Sequence, residues 1–253
     1  MRVKVFLTVL ALACLFHLSA FAAHPLITDD TGTQGKGKLQ LEVNGEFARE
    51  DEGGVKEDAT ELATILSYGV LDSVDLVLGI PYQFIRVKDA GNTTTENGIS
   101  DVLLELKWKF YGKDGLSLAL KPGLSLPTGD DEKGLGAGKA GFSYFFILTK
   151  EVEPWAVHLN LGYIRNENTA DEREDLWHAS LAAQVQATEK LNIVGNIGAE
   201  RNADRSSDTP PAFILGGVIY SLSENFDVDL GIKAGLNKPE TDYSILTGIT
   251  YIF

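Results

Sequence analysis

The chain has 253 residues, 44% of them hydrophobic, with 36 acidic against 22 basic side chains and a formal charge of −14. It is too apolar for a disordered acidic tail, and its acidic balance excludes a phosphate-neutralising nucleic-acid footprint.

Residues 1–23 read as a secretory signal peptide. Arg2 and Lys4 precede an apolar run from Val5 to Leu18, and Ala20-Phe21-Ala22 gives the small-residue pattern of a cleavage site. Losing Arg2 and Lys4 deepens the charge from −14 to −16. The single cysteine, Cys14, lies inside that segment, so the mature chain is expected to have no thiol for disulfides, nucleophilic chemistry or metal ligation. Lipidation at Cys14 is the rival reading, against which Ala11-Leu12-Ala13 is a poor lipobox and the apolar run continues past it. No later stretch approaches the roughly 20 apolar residues of a membrane helix, which leaves a soluble exported protein or a closed membrane barrel.

Residues 24–37 form an N-terminal segment expected to be a periplasmic tail or a partial plug. His24, Asp29 and Asp30 within it have no metal-ligand spacing. Strict alternation begins at Lys38: Leu39, Leu41, Val43, Gly45 and Phe47 share one face, and Lys38, Gln40, Glu42, Asn44 and Glu46 share the other. Period two is a strand. The template repeats to give about twelve strands, near 38–48, 60–71, 74–86, 99–111, 116–127, 138–149, 155–165, 176–187, 191–201, 211–221, 226–237 and 243–253. The tenth is the least regular, because Phe213, Ile214 and Leu215 put apolar groups on both faces.

Long links at 49–59, 87–98, 128–137, 166–175 and 202–210 alternate with short ones, so the two kinds fall on opposite rims. The pattern predicts an all-β fold: a transmembrane antiparallel up-and-down β-barrel over residues 38–253. The apolar rows face lipid, since a lysine turned to the midplane would cost roughly 2–4 kcal/mol. The polar rows line the lumen, with Glu42, Glu46, Glu61, Asp75, Glu105, Lys107, Lys109, Lys121, Lys139, His158, His178, Glu200, Asp227, Asp229 and Lys233 as candidate lining residues. Aromatics fall in two belts: Trp108, Phe110, Phe146, Trp155, Tyr220, Phe226 and Tyr251 near the short turns, and Phe47, Phe84, Tyr163, Trp177 and Tyr243 near the other rim. Pro81 and Pro122 each remove a ladder donor and predict a local defect in a wall with no edge to hide it.

Three stretches carry a resemblance: the mature start His24-Pro25-Leu26-Ile27-Thr28-Asp29-Asp30-Thr31-Gly32-Thr33-Gln34-Gly35-Lys36-Gly37-Lys38, then Gly98-Ile99-Ser100-Asp101-Val102, then Leu126-Pro127-Thr128-Gly129-Asp130. Together they resemble the MetA-pathway of phenol degradation family, whose members are regarded as outer-membrane β-barrels and often called transporters. The resemblance spans the mature chain and implies the outer membrane of a Gram-negative bacterium. It brings no agreed binding residues and no cofactor. Ile249, Tyr251 and the terminal Phe253 also resemble the signal that such barrels present to their assembly machinery.

The expected function is passage of small solutes, including apolar or aromatic ones, through a narrow lumen in a chain with no nucleotide motif. A non-conducting structural or adhesive barrel is the alternative, and a soluble periplasmic β-protein the third. A barrel-embedded lipid hydrolase is the remote one: His158 and Asn160 share a lumen row, as do His178 and Ser180, but the strand register is expected to keep the two histidines apart. The chain is therefore read as a non-enzyme without metal or cofactor, whose partners are membrane lipid, the assembly machinery and a small solute. The acidic outer loops are read as solvated faces, with loose Ca²⁺ or Mg²⁺ binding the weaker option.

Overall fold

A computed structural model describes residues 24–253; the signal-peptide reading and Cys14 lie outside the described residues. The strands run in chain order as β1 (Leu39–Glu52), β2 (Val55–Leu71), β3 (Val74–Asp89), β4 (Asn92–Ile99), β5 (Val102–Lys113), β6 (Leu116–Leu126), β7 (Gly141–Val152), β8 (Trp155–Arg165), β9 (Asp175–Gln186), β10 (Leu191–Glu200), β11 (Ala212–Ser223), β12 (Phe226–Gly235) and β13 (Tyr243–Ile252). All pairings between them are antiparallel, and β1 bonds to both β2 and β13, so the sheet closes on itself. Closure leaves the sheet no open edge, the condition for it to stand in hydrocarbon.

The thirteen strands make a twelve-stave wall because β4 and β5 lie end to end along β3. Residues Tyr82–Asp89 of β3 pair with β4, and Val74–Gly79 pair with β5. The gap between them, Ser100-Asp101, stands opposite Pro81, which has no N–H to donate; the Ser100 amide still donates to the Pro81 carbonyl at 2.9 Å. Pro122 marks a second irregularity. The β5–β6 ladder passes from Glu105↔Gly123 to Trp108↔Leu120 in one register, skipping Leu106 and Lys107, and shifts register between Lys109 and Tyr111.

Links 49–59 and 87–98, expected as loops, are strand. The β1–β2 ladder continues to Glu52↔Val55 and the β3–β4 ladder to Asp89↔Asn92. Their tips are two residues long and left-handed throughout, with φ of 59° and 91° at Gly53 and Gly54 and 46° and 84° at Ala90 and Gly91. Such turns match the twist of the flanking strands. Above the bilayer the outward face meets water instead of lipid, so the sequence there loses its apolar outer row while the backbone keeps its ladder.

The outward row is apolar, with Leu104, Leu106, Trp108, Leu124, Leu161, Leu181, Ile197, Leu230 and Ile249 all exposed. Phe47, Phe84, Tyr163, Trp177 and Tyr243 are exposed at one rim and Trp108, Phe110, Trp155, Tyr220 and Tyr251 at the other. An 11-residue strand such as β8 rises roughly 36 Å, enough when tilted to cross the roughly 25 Å apolar band of an outer membrane.

The lumen is not uniformly polar. Ala182, Val194, Phe213, Leu215, Ile219 and Leu246 form one internal apolar cluster around Leu26 of the N-terminal segment. Ala119, Phe145, Ile147, Ile164 and Leu176 form a second with Ala203, and Ile85 and Val87 a third with Leu135. The irregular apolarity of β11 has its reason here: Phe213 and Leu215 turn inward onto Leu26 while Ile214 faces out.

Candidate functional site: the occluded lumen

Residues 24–36 turn into the barrel. Pro25, Leu26, Thr28, Asp29 and Thr31 are buried, and the segment is tied to staves around the wall. The amides of Ile27 and Thr28 donate to Asn196 Oδ1 at 2.8 and 3.0 Å, and Asn196 Nδ2 donates to Thr28 Oγ1 at 2.7 Å. The Asp29 amide donates to Asn160 Oδ1 at 2.6 Å, and Asn160 Nδ2 returns a bond to the Asp29 carbonyl at 2.8 Å. Thr31 meets Thr149 and Ser117, and the Gln34 amide donates to Asp75. Wall glycines make room: a Cβ on Gly217 or Gly231 would lie 2.8 Å from Pro25, and one on Gly248 2.8 Å from His24.

The segment supplies counter-charge to two wall lysines, alongside pairs made within the wall. Asp29 Oδ1 accepts from Lys107 Nζ at 2.8 Å, and Asp29 Oδ2 lies 2.8 Å from Lys121 Nζ, which also lies 3.4 Å from Glu105. Lys121 is 1% exposed, so an uncompensated ammonium there would be costly. His24 Nδ1 lies 2.5 Å from Asp229. A separate island joins Lys233 to Glu46 and Glu240 at 3.0 and 3.2 Å. Glu42 accepts from Gln40 and Asn44, and Glu61 from Gln83.

The segment thus divides the lumen. On the inner side a cavity of about 340 Å³ is bounded by His24, Asp29, Asp30, Gln34, Asp75, Lys107, Asp227 and Asp229. On the outer side lie two more, of about 70 Å³ against Ile27, Glu50, Glu57, Phe213 and Lys233, and about 120 Å³ against Glu61, Leu103, Leu135 and Arg165.

The two internal stretches that resemble the family meet at the outer constriction. Thr128 Oγ1 donates to the Ser100 carbonyl and accepts from the Val102 amide, both at 2.9 Å. Asp101 accepts from the amides of Gly129 at 3.0 Å and Ala137 at 2.8 Å. This clasp folds residues 127–138 inward and lays Leu135 on Ile85 and Val87. A Cβ on Gly129 would lie 2.3 Å from the Leu135 carbonyl oxygen, so the crossing requires glycine.

Of the expected lining residues, Glu42, Glu46, Glu61, Asp75, Glu105, Lys107, Lys109, Lys121, His158, His178, Glu200, Asp227, Asp229 and Lys233 lie on strands, buried or half-buried on the inner row. Lys139 does not: β7 starts at Gly141, and Lys139 is an exposed loop residue at the edge of an outer cavity. Sequence reasoning passed over Asn160 and Asn196 as anchors for the segment, and over Asp101 and Thr128 as a clasp.

The histidines are apart, as their register requires: His158 pairs with Ala182 and His178 with Gly162. His158 meets Thr149 at 2.9 Å, whereas His178 Nε2 lies 2.9 Å from Ser180 Oγ and its Nδ1 lies 3.4 Å from Glu200. The outer acidic loops are held by arginines: Arg165 bonds Glu167, Glu174 and Asp175, and Arg173 bonds Asp208 and the carbonyls of Asn202, Asp204 and Ser207. Among the described residues no cluster of three or more metal-ligating side chains is present.

An apolar-coated, closed, twelve-stave wall is that of an outer-membrane β-barrel. Residues 22–253 match the model of the family described as "Putative MetA-pathway of phenol degradation", and the chain belongs to that family. It is an outer-membrane protein of Gram-negative type. Its fold is similar to that of an outer membrane channel from Pseudomonas putida F1, with a TM-score of 0.69 at 15% identity over 88% of this chain and 98% of that one. It is also similar to the NanC porin (TM-score 0.57, 9% identity, 83% and 98% covered) and to the CymD monoaromatic hydrocarbon channel (0.52, 11%, 87% and 89%). No curated protein matches the sequence.

Proposed function

We infer that the protein is a narrow passive channel for small solutes of mixed polarity, including apolar and aromatic ones, with its own N-terminal segment as the obstruction. The observation that carries this is the divided lumen: cavities above and below are separated by residues 24–31, which are held by individual side-chain contacts rather than by a continuous sheet. The apolar patches of the inner wall suit a solute with a hydrocarbon body, and CymD, of similar fold, is a channel for monoaromatic hydrocarbons. No catalytic step is assigned. His178, Ser180 and Glu200 make contact, but amides of the β-wall are committed to the ladder and offer no oxyanion donors beside Ser180.

The segment also favours a second reading, a non-conducting structural barrel. The two separate in planar bilayers: the channel reading predicts small but resolvable KCl currents and uptake of small neutral or aromatic solutes in swelling assays, and a silent barrel contradicts it. Assembly is read as proceeding through the C-terminal strand, where the Phe253 amide donates to the Leu39 carbonyl at 2.8 Å and the ring is exposed.

A further inference from the structure

At the outer end of the lumen, Glu50 of β1 and Glu57 of β2 are direct cross-strand partners on the inner face. They are 8% and 7% exposed, so each has lost nearly all contact with bulk water. Like charges directly opposite on neighbouring strands repel, and burial strengthens the repulsion. Neither carboxylate has an ion pair among the described residues, and Glu57 Oε2 is buried with no hydrogen-bond partner.

The cations nearby are committed elsewhere. Lys233 holds Glu46 and Glu240, and Arg49 faces Asp58 on the exposed side. Glu52, Glu240 and Asp242 add negative potential at Glu50, against which Lys238 is the opposing charge. Both carboxylates line the same cavity, of about 70 Å³ and open to the outer solvent, together with Ile27, Ala59 and Phe213. Small-molecule sites combine apolar walls with a few convergent polar groups, and here the cations on the lining, Lys233 and Arg49, are held by Glu46, Glu240 and Asp58, which leaves Glu50 and Glu57 without a counter-charge of their own.

We propose that Glu50 and Glu57 form a subsite for a small organic cation: an ammonium group between the two carboxylates, carried on a short apolar body that lies against Ile27, Ala59 and Phe213. The proposal rests on the channel reading and gives it a class of solute. The ammonium supplies the counter-charge the pair lacks, and its N–H groups donate to the carboxylate oxygens. The apolar body replaces water over the inner wall.

The test uses the full mature protein in detergent, with n-butylammonium chloride as probe and n-butanol and calcium chloride as comparison ligands, read by calorimetry at about pH 8. Butylammonium is expected to bind, and the Glu50→Gln/Glu57→Gln variant to bind it about tenfold or more weakly, as loss of charge-assisted bonds implies. Glutamine keeps the shape and removes the repulsion, so the variant is expected to fold; Glu57→Gln alone is the second variant and should fall between. Equal binding by wild type and variant overturns the proposal. So does equal binding of butanol, or binding of calcium but not butylammonium. Binding is read without current, so a silent barrel that still binds the probe through Glu50 and Glu57 refutes the channel reading alone. A conducting barrel that does not bind it refutes the subsite alone.

Discussion

Replacing Asp29 by asparagine should loosen the internal segment without altering the wall. The side chain keeps its shape, and the backbone bonds to Asn160 remain. What is lost is the negative charge shared by Lys107 and Lys121, each 2.8 Å away. Breaking a buried pair costs about 3–5 kcal/mol, and the lower end applies because Lys121 keeps Glu105 and Lys107 keeps Asp30 at 3.9 Å. At 1.4 kcal/mol per tenfold, about 3 kcal/mol shifts the docked-to-undocked ratio of the segment roughly a hundredfold. Single-channel recording at fixed KCl should therefore show longer and larger open events in Asp29→Asn than in wild type. Adding Lys121→Met should reverse part of the change, because the uncompensated charge is removed with its partner. Identical conductance and open probability in wild type and Asp29→Asn would refute the reasoning.

Asp101→Ala removes two acceptor bonds from an 8% exposed side chain and should cost about 2–3 kcal/mol, read as new protease cleavage within 127–138 while the barrel stays folded. Leu104→Arg puts a charge on the lipid face and should cost roughly 2–4 kcal/mol in reversible guanidinium unfolding from liposomes, with smaller losses for the same change nearer a rim. Glu50 and Glu57 lie beyond the outer aromatic belt at Phe47 and Tyr243, and burial pushes both up to about 7, with Glu52 and Asp242 adding to Glu50 and Glu50 adding to Glu57. The folded state thus binds more protons than the unfolded one between the ordinary carboxylate value of 4.5 and about 7, so stability should fall as pH rises through that window. Melting of wild type should be lower at about pH 8 than at about pH 5, and Glu57→Gln should narrow the gap; equal melting of wild type at both would contradict it.

The wall was legible because hydrocarbon on one side and water or paired charge on the other impose period two on every stave. Pro81 could be recognised as a defect from its missing donor, and the structure places the β4–β5 break opposite it. The strands above the bilayer, such as Asn92–Ile99, were hidden because the outward face meets water instead of lipid and Thr93, Thr94, Thr95 and Glu96 have no apolar row. The internal course of residues 24–36 was hidden for a different reason: its bonds go to staves between 41 and 205 residues away, and an extended segment has no period to read. One signal was present. Phe213 and Leu215 put apolar groups on a row that should have been polar, and such a patch requires a cover, which Leu26 supplies.

The most direct measurement compares the conductance of the mature chain with that of a variant lacking residues 24–36, in which every stave from Leu39 onward is kept. With both proteins shown to be folded by heat-modifiable migration, the truncated barrel should conduct several-fold more than the intact one and pass larger solutes. Equal conductance in the two folded barrels would show that the segment does not close the lumen.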